Sequence, residues 1–176
     1  MKNIHTPLKF FGFFLIFITI ISSCSVNTES YELSSPTLEL KAVGPLFEGS
    51  NTATATWEFS LKEILPELED ESLLHHVEIT AIEVISKPGL EFPKVGKMVM
   101  EMKSAYTSMT RIGLLETNMQ KEKTYKLQIA GKQEELTTAL KDERITFVGD
   151  FDMLEEDFYD DVVFDLQVTF NVEIKK

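Results

Sequence analysis

The sequence predicts a mainly β domain: an antiparallel β-sandwich, of which the immunoglobulin-like arrangement is one form, with one or two short helices. Three observations predict it. Apolar and polar residues alternate without a break from Val162 to Ile174. The same period of two returns in shorter runs, separated by Gly, Pro, Ser and Asn. Helical spacing is confined to two short stretches. An α+β arrangement is the alternative.

Thr37 to Val43 places Leu38, Leu40 and Ala42 on one face and Glu39 and Lys41 on the other. Thr52 to Leu61 sets Ala53, Ala55, Trp57, Phe59 and Leu61 against Thr52, Thr54, Thr56, Glu58 and Ser60. Strict alternation of this kind marks a half-buried strand. Gly44-Pro45 and Gly49-Ser50-Asn51 read as the turns between these two runs. Ser60-Leu-Lys-Glu63 has capping-box spacing and opens a short helix that Pro66 resists continuing. A second turn or two of helix is expected between Glu67 and Leu74.

Val77 to Ile85 returns to strand character, and Lys87-Pro88-Gly89 ends it. Lys97 to Lys103, Arg111 to Leu115, Thr124 to Ile129 and Arg144 to Phe151 are further strands. Leu136, Ala139 and Leu140 have the spacing of a short surface helix. The last strand buries Val162, Phe164, Leu166, Val168, Phe170, Val172 and Ile174. A slip of one residue would bury Asp165 and Glu173 instead, so its register is strongly specified.

The N-terminus needs a separate account. Lys2 and Lys9 precede an almost unbroken apolar run, Phe10 to Ile21. As a helix, about a dozen residues reach roughly 18 Å, short of a ~30 Å hydrocarbon core. A short apolar run with basic residues ahead and small residues behind reads as a secretory signal peptide. At its end, Ile21-Ser22-Ser23-Cys24 resembles the lipobox of bacterial lipoprotein precursors. The resemblance covers the first 24 residues. It implies cleavage before Cys24 and lipid on its thiol, with two or three acyl chains holding more firmly than the marginal grip of one. Cys24 is the single cysteine of the chain, so no intramolecular disulfide can form.

Three parts follow: a signal peptide over 1–23, a lipidated N-terminus and tether over 24–35, and one β-sandwich domain over 36–176. In Gram-negative lipoproteins an Asp after the cysteine marks inner-membrane retention. Here Ser25 follows, so the resemblance implies an outer membrane, facing the periplasm, with the cell surface as the alternative. The leader holds two lysines and no acid, so its removal takes the net charge from −12 to −14. Such a domain repels nucleic acid and expects none as a partner. Its expected partners are the membrane, through the lipid on Cys24, and an envelope protein.

Candidate sites are few. Asp150 to Asp161 holds seven acids in twelve positions, and hard oxygen ligands on a loop between strands suit Ca²⁺. Asp150, Asp152, Glu156 and Asp157 are the candidate ligands. An EF-hand does not fit, because Glu155 stands where the motif needs glycine. The plainer reading is a solvated acidic loop packed down by Phe151, Leu154 and Phe158, and exposed acids with aromatics also suit protein recognition.

His75 and His76 are adjacent, so on a strand their rings point to opposite faces, one tucked in and one wet, and do not chelate one ion. Met98, Met100 and Met102 form a stripe at strand spacing. Methionine thioethers bind copper in some periplasmic proteins, but the stripe reads first as core.

No nucleophile elbow, phosphate loop or dinucleotide fingerprint appears. No cofactor is expected. The expectation is therefore a lipid-anchored, non-enzymatic binding or scaffolding module. The alternatives are a carrier for an apolar ligand, lined by Met98, Met100, Phe164 or Phe170, and a hydrolase of envelope polymer using paired carboxylates.

Overall fold

The computed structural model describes residues 27–87, 92–133 and 135–176, and of Glu155 and Glu156 the backbone alone. Cys24 and the lipobox lie outside the described residues, as does the turn expected at Pro88-Gly89. The strands are β1 (Thr28–Ser34), β2 (Leu38–Ala42), β3 (Leu46–Glu58), β4 (Leu74–Ser86), β5 (Val95–Lys103), β6 (Thr110–Leu115), β7 (Thr124–Lys126), β8 (Gln128–Ile129), β9 (Arg144–Phe158) and β10 (Val162–Lys175). Two short helices, α1 (Leu61–Ile64) and α2 (Leu136–Lys141), and a 3₁₀ turn at Glu71–Leu73 complete the fold. The chain is thus mainly β and antiparallel with two short helices, as the periodicity predicts.

An immunoglobulin-like sandwich divides its strands between two sheets. Here all ten belong to one sheet, ordered β7-β4-β10-β2-β3-β9-β5-β6-β8, with β1 added to β10. The two ends of that order meet. β7 pairs with β4, β8 pairs with β6, and Leu127 alone separates them. Its N–H donates to the Ile82 carbonyl at 3.0 Å, and the Ala130 N–H to that of Ile112 at 2.9 Å. One run, expected as a single strand, therefore serves both edges and brings the sheet to a nearly closed barrel. Closure leaves few unpaired edges, the hazard that open sheets must manage otherwise.

The alternating faces sort as the sequence predicts. β2 buries Leu38, Leu40 and Ala42, and β10 buries every second residue from Val162 to Ile174. Met98, Met100 and Met102 are core residues, buried with Phe147, Phe151, Phe164 and Phe170. The Phe151 and Phe164 rings meet edge to face, 5.6 Å between centroids.

The segment expected as a tether is strand from Thr28 to Ser34. Residues 28–34, polar in sequence, form β1, which pairs with β10 from Thr28↔Lys175 to Ser34↔Thr169. β1 and β2 lie along the same edge of β10, interrupted where Pro36 supplies no N–H. Ser35 bridges the gap: its N–H donates to the Val168 carbonyl at 2.8 Å and its Oγ accepts from the Val168 N–H at 3.0 Å.

Gly49-Ser50-Asn51, expected as a turn, instead forms part of β3. Gly49 sits at φ +97° beside a register shift, so the three residues bend the strand without ending it. Asn51 secures the bend: its Nδ2 donates to the Phe47 carbonyl at 2.8 Å and to that of Gly49 at 3.0 Å.

Both helices sit where β3 ends and β9 begins. Glu58 pairs with Arg144, and the Phe59 N–H donates to the Glu143 carbonyl at 3.0 Å. Leu61, Leu65 and Leu68 from one side, and Leu136, Ala139 and Leu140 from the other, are buried there and cover the barrel mouth. α2 thus offers a buried face as well as a surface one. The capping box at Ser60 is not formed through side chains. Glu143, held at φ +53°, reaches across instead, and its Oε1 accepts from the Leu61 N–H at 2.6 Å.

Candidate functional site

From the helical end, β9 runs through 15 residues to the opposite end of the barrel. At about 3.3 Å per residue that is roughly 45 Å of strand, so the two ends are well separated. The far end is a tip built from two connections: Tyr159-Asp160-Asp161 between β9 and β10, and Val43-Gly44-Pro45 between β2 and β3.

The two connections are packed backbone to backbone. A Cβ on Gly44 would stand 2.6 Å from the Tyr159 carbonyl oxygen and 2.7 Å from that of Asp160, so only glycine fits. The Gly44 N–H donates to Asp161 Oδ1 at 3.0 Å, and Lys41 Nζ meets Asp161 Oδ2 at 2.6 Å. The Lys41 ammonium, and then the Gly44 N–H, hold the Asp161 carboxyl below the usual carboxylate range. Asp161 is thus a structural clasp, and the Gly44-Pro45 peptide beside it is cis.

Large apolar side chains stand outside this built frame. Tyr159 is 77% exposed, Val43 69%, Phe47 57% and Leu154 52%. Phe47 lies opposite Asp157 across the β3–β9 ladder, and its neighbour Leu46, opposite Phe158, is buried. The side-chain amide of Asn51 holds the Phe47 backbone at both its N–H and its carbonyl. Leu154 lies further along β9, where its N–H donates to the Lys94 carbonyl at 2.8 Å. Glu48, Asp157 and Asp160 are interspersed with these residues in sequence and register. The tip therefore offers exposed rings and aliphatic groups among carboxylates, on a backbone fixed by hydrogen bonds.

The expected acidic loop is mostly strand, since Asp150 to Phe158 belong to β9. That conformation spaces out the four candidate calcium ligands, Asp150, Asp152, Glu156 and Asp157, along one strand. Along an extended strand Asp150 and Asp157 are roughly 23 Å apart, whereas a Ca²⁺ sphere gathers its oxygens within about 2.6 Å of the ion. Asp150 Oδ1 accepts from the Thr52 hydroxyl at 2.7 Å, and Asp152 faces Ser50 and Lys97 across its two ladders. The Glu156 side chain lies outside what is described. Among the described residues no group of three or more His, Cys, Asp or Glu side chains could hold a metal ion.

His75 and His76 follow Leu74 at the start of β4, and both are exposed, not one in and one out. A register shift between Glu173 and Ile174 places two outward residues between buried Leu74 and buried Val77. The bulge breaks the alternation that the sequence leads one to expect.

A cleft of about 710 Å³ opens at the helical end, lined by Leu68, Glu69, Asp70, Glu71, Lys141 and Glu143 among others. It does collect carboxylates, but two of them serve the backbone. Asp70 accepts from the Ser72 N–H at 2.7 Å and Glu143 caps α1. The contact with Ser72 lowers the Asp70 pKa, the wrong direction for the general acid of a glycosidase.

Sequence reasoning missed the exposed Val43 and Phe47 and the role of Glu143. The one available signal for the first pair was Gly44-Pro45 beside two unpatterned apolar residues. For Glu143 there was none, because its partner is 82 residues away. No protein-family model matches the chain, and no curated protein matches it.

Proposed function

We propose that the chain is a bacterial envelope lipoprotein, lipid-anchored through Cys24 at the periplasmic face of an outer membrane, that binds another protein through its tip and has no catalytic role. The observation that carries the binding reading is the tip. Val43, Phe47, Leu154 and Tyr159 are exposed there while the backbone beneath them is clasped by Gly44, Asn51 and Asp161. Aromatic residues on a prepared frame lose little conformational freedom on binding, which is why they dominate interface energetics. The neighbouring carboxylates select a partner surface with an apolar hollow bordered by lysine or arginine.

The anchor reading rests on Ile21-Ser22-Ser23-Cys24 and the apolar run before it. The interior gives the carrier reading little support, since Met98, Met100, Phe164 and Phe170 are all buried core residues.

The test is site-specific photocrosslinking in cells, with the photoreactive residue placed at Phe47, at Tyr159 and, as control, at exposed Thr80 on β4. A discrete protein adduct from the two tip positions and none from Thr80 supports the reading. No adduct from either tip position overturns it.

A further inference from the structure

We propose that the outer edge of β1 takes up an extended segment of a partner protein, one that alternates apolar with basic residues, as a further strand. This surface is separate from the tip and does not depend on the anchor.

The hydrogen-bond register is the first argument. In an antiparallel ladder the bonded pairs alternate. The Ser35 N–H donates to the Val168 carbonyl, and the Lys176 N–H to the Asn27 carbonyl at 3.0 Å. Between these pairs the register runs unbroken from Thr28↔Lys175 to Ser34↔Thr169, so Glu29, Tyr31 and Leu33 are the residues bonded to β10. The N–H and carbonyl groups of Ser30, Glu32 and Ser34 therefore point away from it. Among the described residues β1 pairs with no other strand, and no loop bonds to the backbone of these three. Backbone groups without a partner in the protein are left to water, and all three residues are exposed.

The contrast with β4 is the second. Where β4 runs beyond β7, the Gln133 side chain occupies its edge. Gln133 Oε1 accepts from the Ile79 N–H at 2.6 Å, and its Nε2 donates to the Ile79 carbonyl at 3.1 Å. An edge covered in this way is no template for another chain. β1 has no such cover, and its outward row of donors and acceptors fits the addition of a strand.

Side chains and charge select the strand. On the inner face of β1 Leu33 is buried and Tyr31 half-buried, so the residues set beside them are apolar. On the outer face Glu32 stands exposed between Ser30 and Ser34, and a residue opposite it on an added strand would lie about 5 Å away. Glu67 and Glu69, exposed at the same end, share a groove with Glu29, Tyr31, Lys175 and Lys176, where Glu29 engages Lys176. A lysine or arginine opposite Glu32 therefore meets a carboxylate with further acids close by. A second copy of β1 would instead bring two strongly negative chains edge to edge.

Amide exchange of the full chain in detergent micelles, followed by NMR, tests this with short synthetic peptides as probes, one alternating lysine with valine and the other glutamate with valine. In the free chain the N–H groups of Ser30, Glu32 and Ser34 are expected to exchange fast, and those of Tyr31 and Leu33 slowly. The lysine peptide is expected to slow exchange at Ser30 and Glu32 about tenfold, and the glutamate peptide not at all. Ser30→Pro removes an outward N–H without touching the ladder with β10. It is expected to weaken binding of the lysine peptide about tenfold while leaving the melting temperature nearly unchanged. Glu32→Lys is expected to reverse the preference between the two peptides. Slow exchange at Ser30, Glu32 and Ser34 in the free chain would show the edge already covered and overturn the proposal. So would equal protection by both peptides, none by the lysine peptide, or undiminished binding to Ser30→Pro. Protection that rises with the concentration of the chain itself would make a second copy the occupant and overturn it as well.

Discussion

The two ends of the barrel use the same kinds of residue in opposite ways. At the helical end Leu61, Leu65, Leu68, Leu136 and Leu140 turn inward and cover the mouth. At the tip Val43, Phe47, Leu154 and Tyr159 turn outward, although buried Leu46 and Val162 lie within a few residues of them. The helical end is closed by side-chain packing. The tip is closed by backbone: Gly44 against Tyr159 and Asp160, and Asp161 on the Gly44 N–H. A tip closed by backbone packing and the Asp161 carboxylate leaves these four apolar groups at the surface.

Substitutions that exchange these roles break the comparison most sharply. Leu140→Ala removes a fully buried side chain at the helical end and is expected to cost about 2–5 kcal/mol. Phe47→Ala and Tyr159→Ala at the tip are expected to change stability by no more than about 0.5 kcal/mol while abolishing the crosslinked adduct. Urea unfolding of the three variants measures the contrast. Tip variants as costly as Leu140→Ala would make the tip a second core.

Gly44→Ala is expected to cost about 1–3 kcal/mol, because the new methyl meets two carbonyl oxygens of the neighbouring turn. It should also lower crosslinking from Tyr159, showing that recognition depends on the frame. At the other end, Glu143→Ala removes the cap on Leu61 and is expected to cost about 1 kcal/mol in the same assay, with the milder Glu143→Gln retaining an acceptor.

The smallest effect is pH-dependent. Lys41 and the Gly44 N–H lower the Asp161 pKa below its ordinary 3.8 in the folded chain. A depressed folded pKa contributes stability that is present above the unfolded value and is lost as pH falls through the folded one. The Gly44 amide resonance should therefore titrate with a midpoint below 3.8, and Asp161→Asn should remove that titration. A midpoint at or above 3.8 would mean that the clasp does not hold in solution.

Several elements are legible in the amino-acid pattern. The thirteen residues from Val162 to Ile174 alternate because one face is dry, and that face is buried as expected. Leu136, Ala139 and Leu140 likewise mark the buried side of α2. The tip is legible only in its acids, since nothing local says that Phe47 is exposed and Leu46 is not. β1 escapes notice because Thr-Glu-Ser-Tyr-Glu-Leu-Ser has little apolar patterning and owes its conformation to hydrogen bonds with β10. The two exposed histidines follow from a bulge set by the partner strand.

By itself, then, the sequence determined the β class, the faces of the strands, the acidic balance and the lipobox resemblance at Cys24. Each is a property of a contiguous run, where period, charge or spacing is complete within a few residues. Tertiary structure alone decided that the sheet nearly closes, that residues 28–34 join it as β1, and that the apolar groups of the tip stay outside. Those outcomes depend on pairings between residues far apart in the chain, such as Thr28 with Lys175, Gly44 with Asp161 and Glu143 with Leu61. No local pattern records which distant partner will satisfy a given N–H.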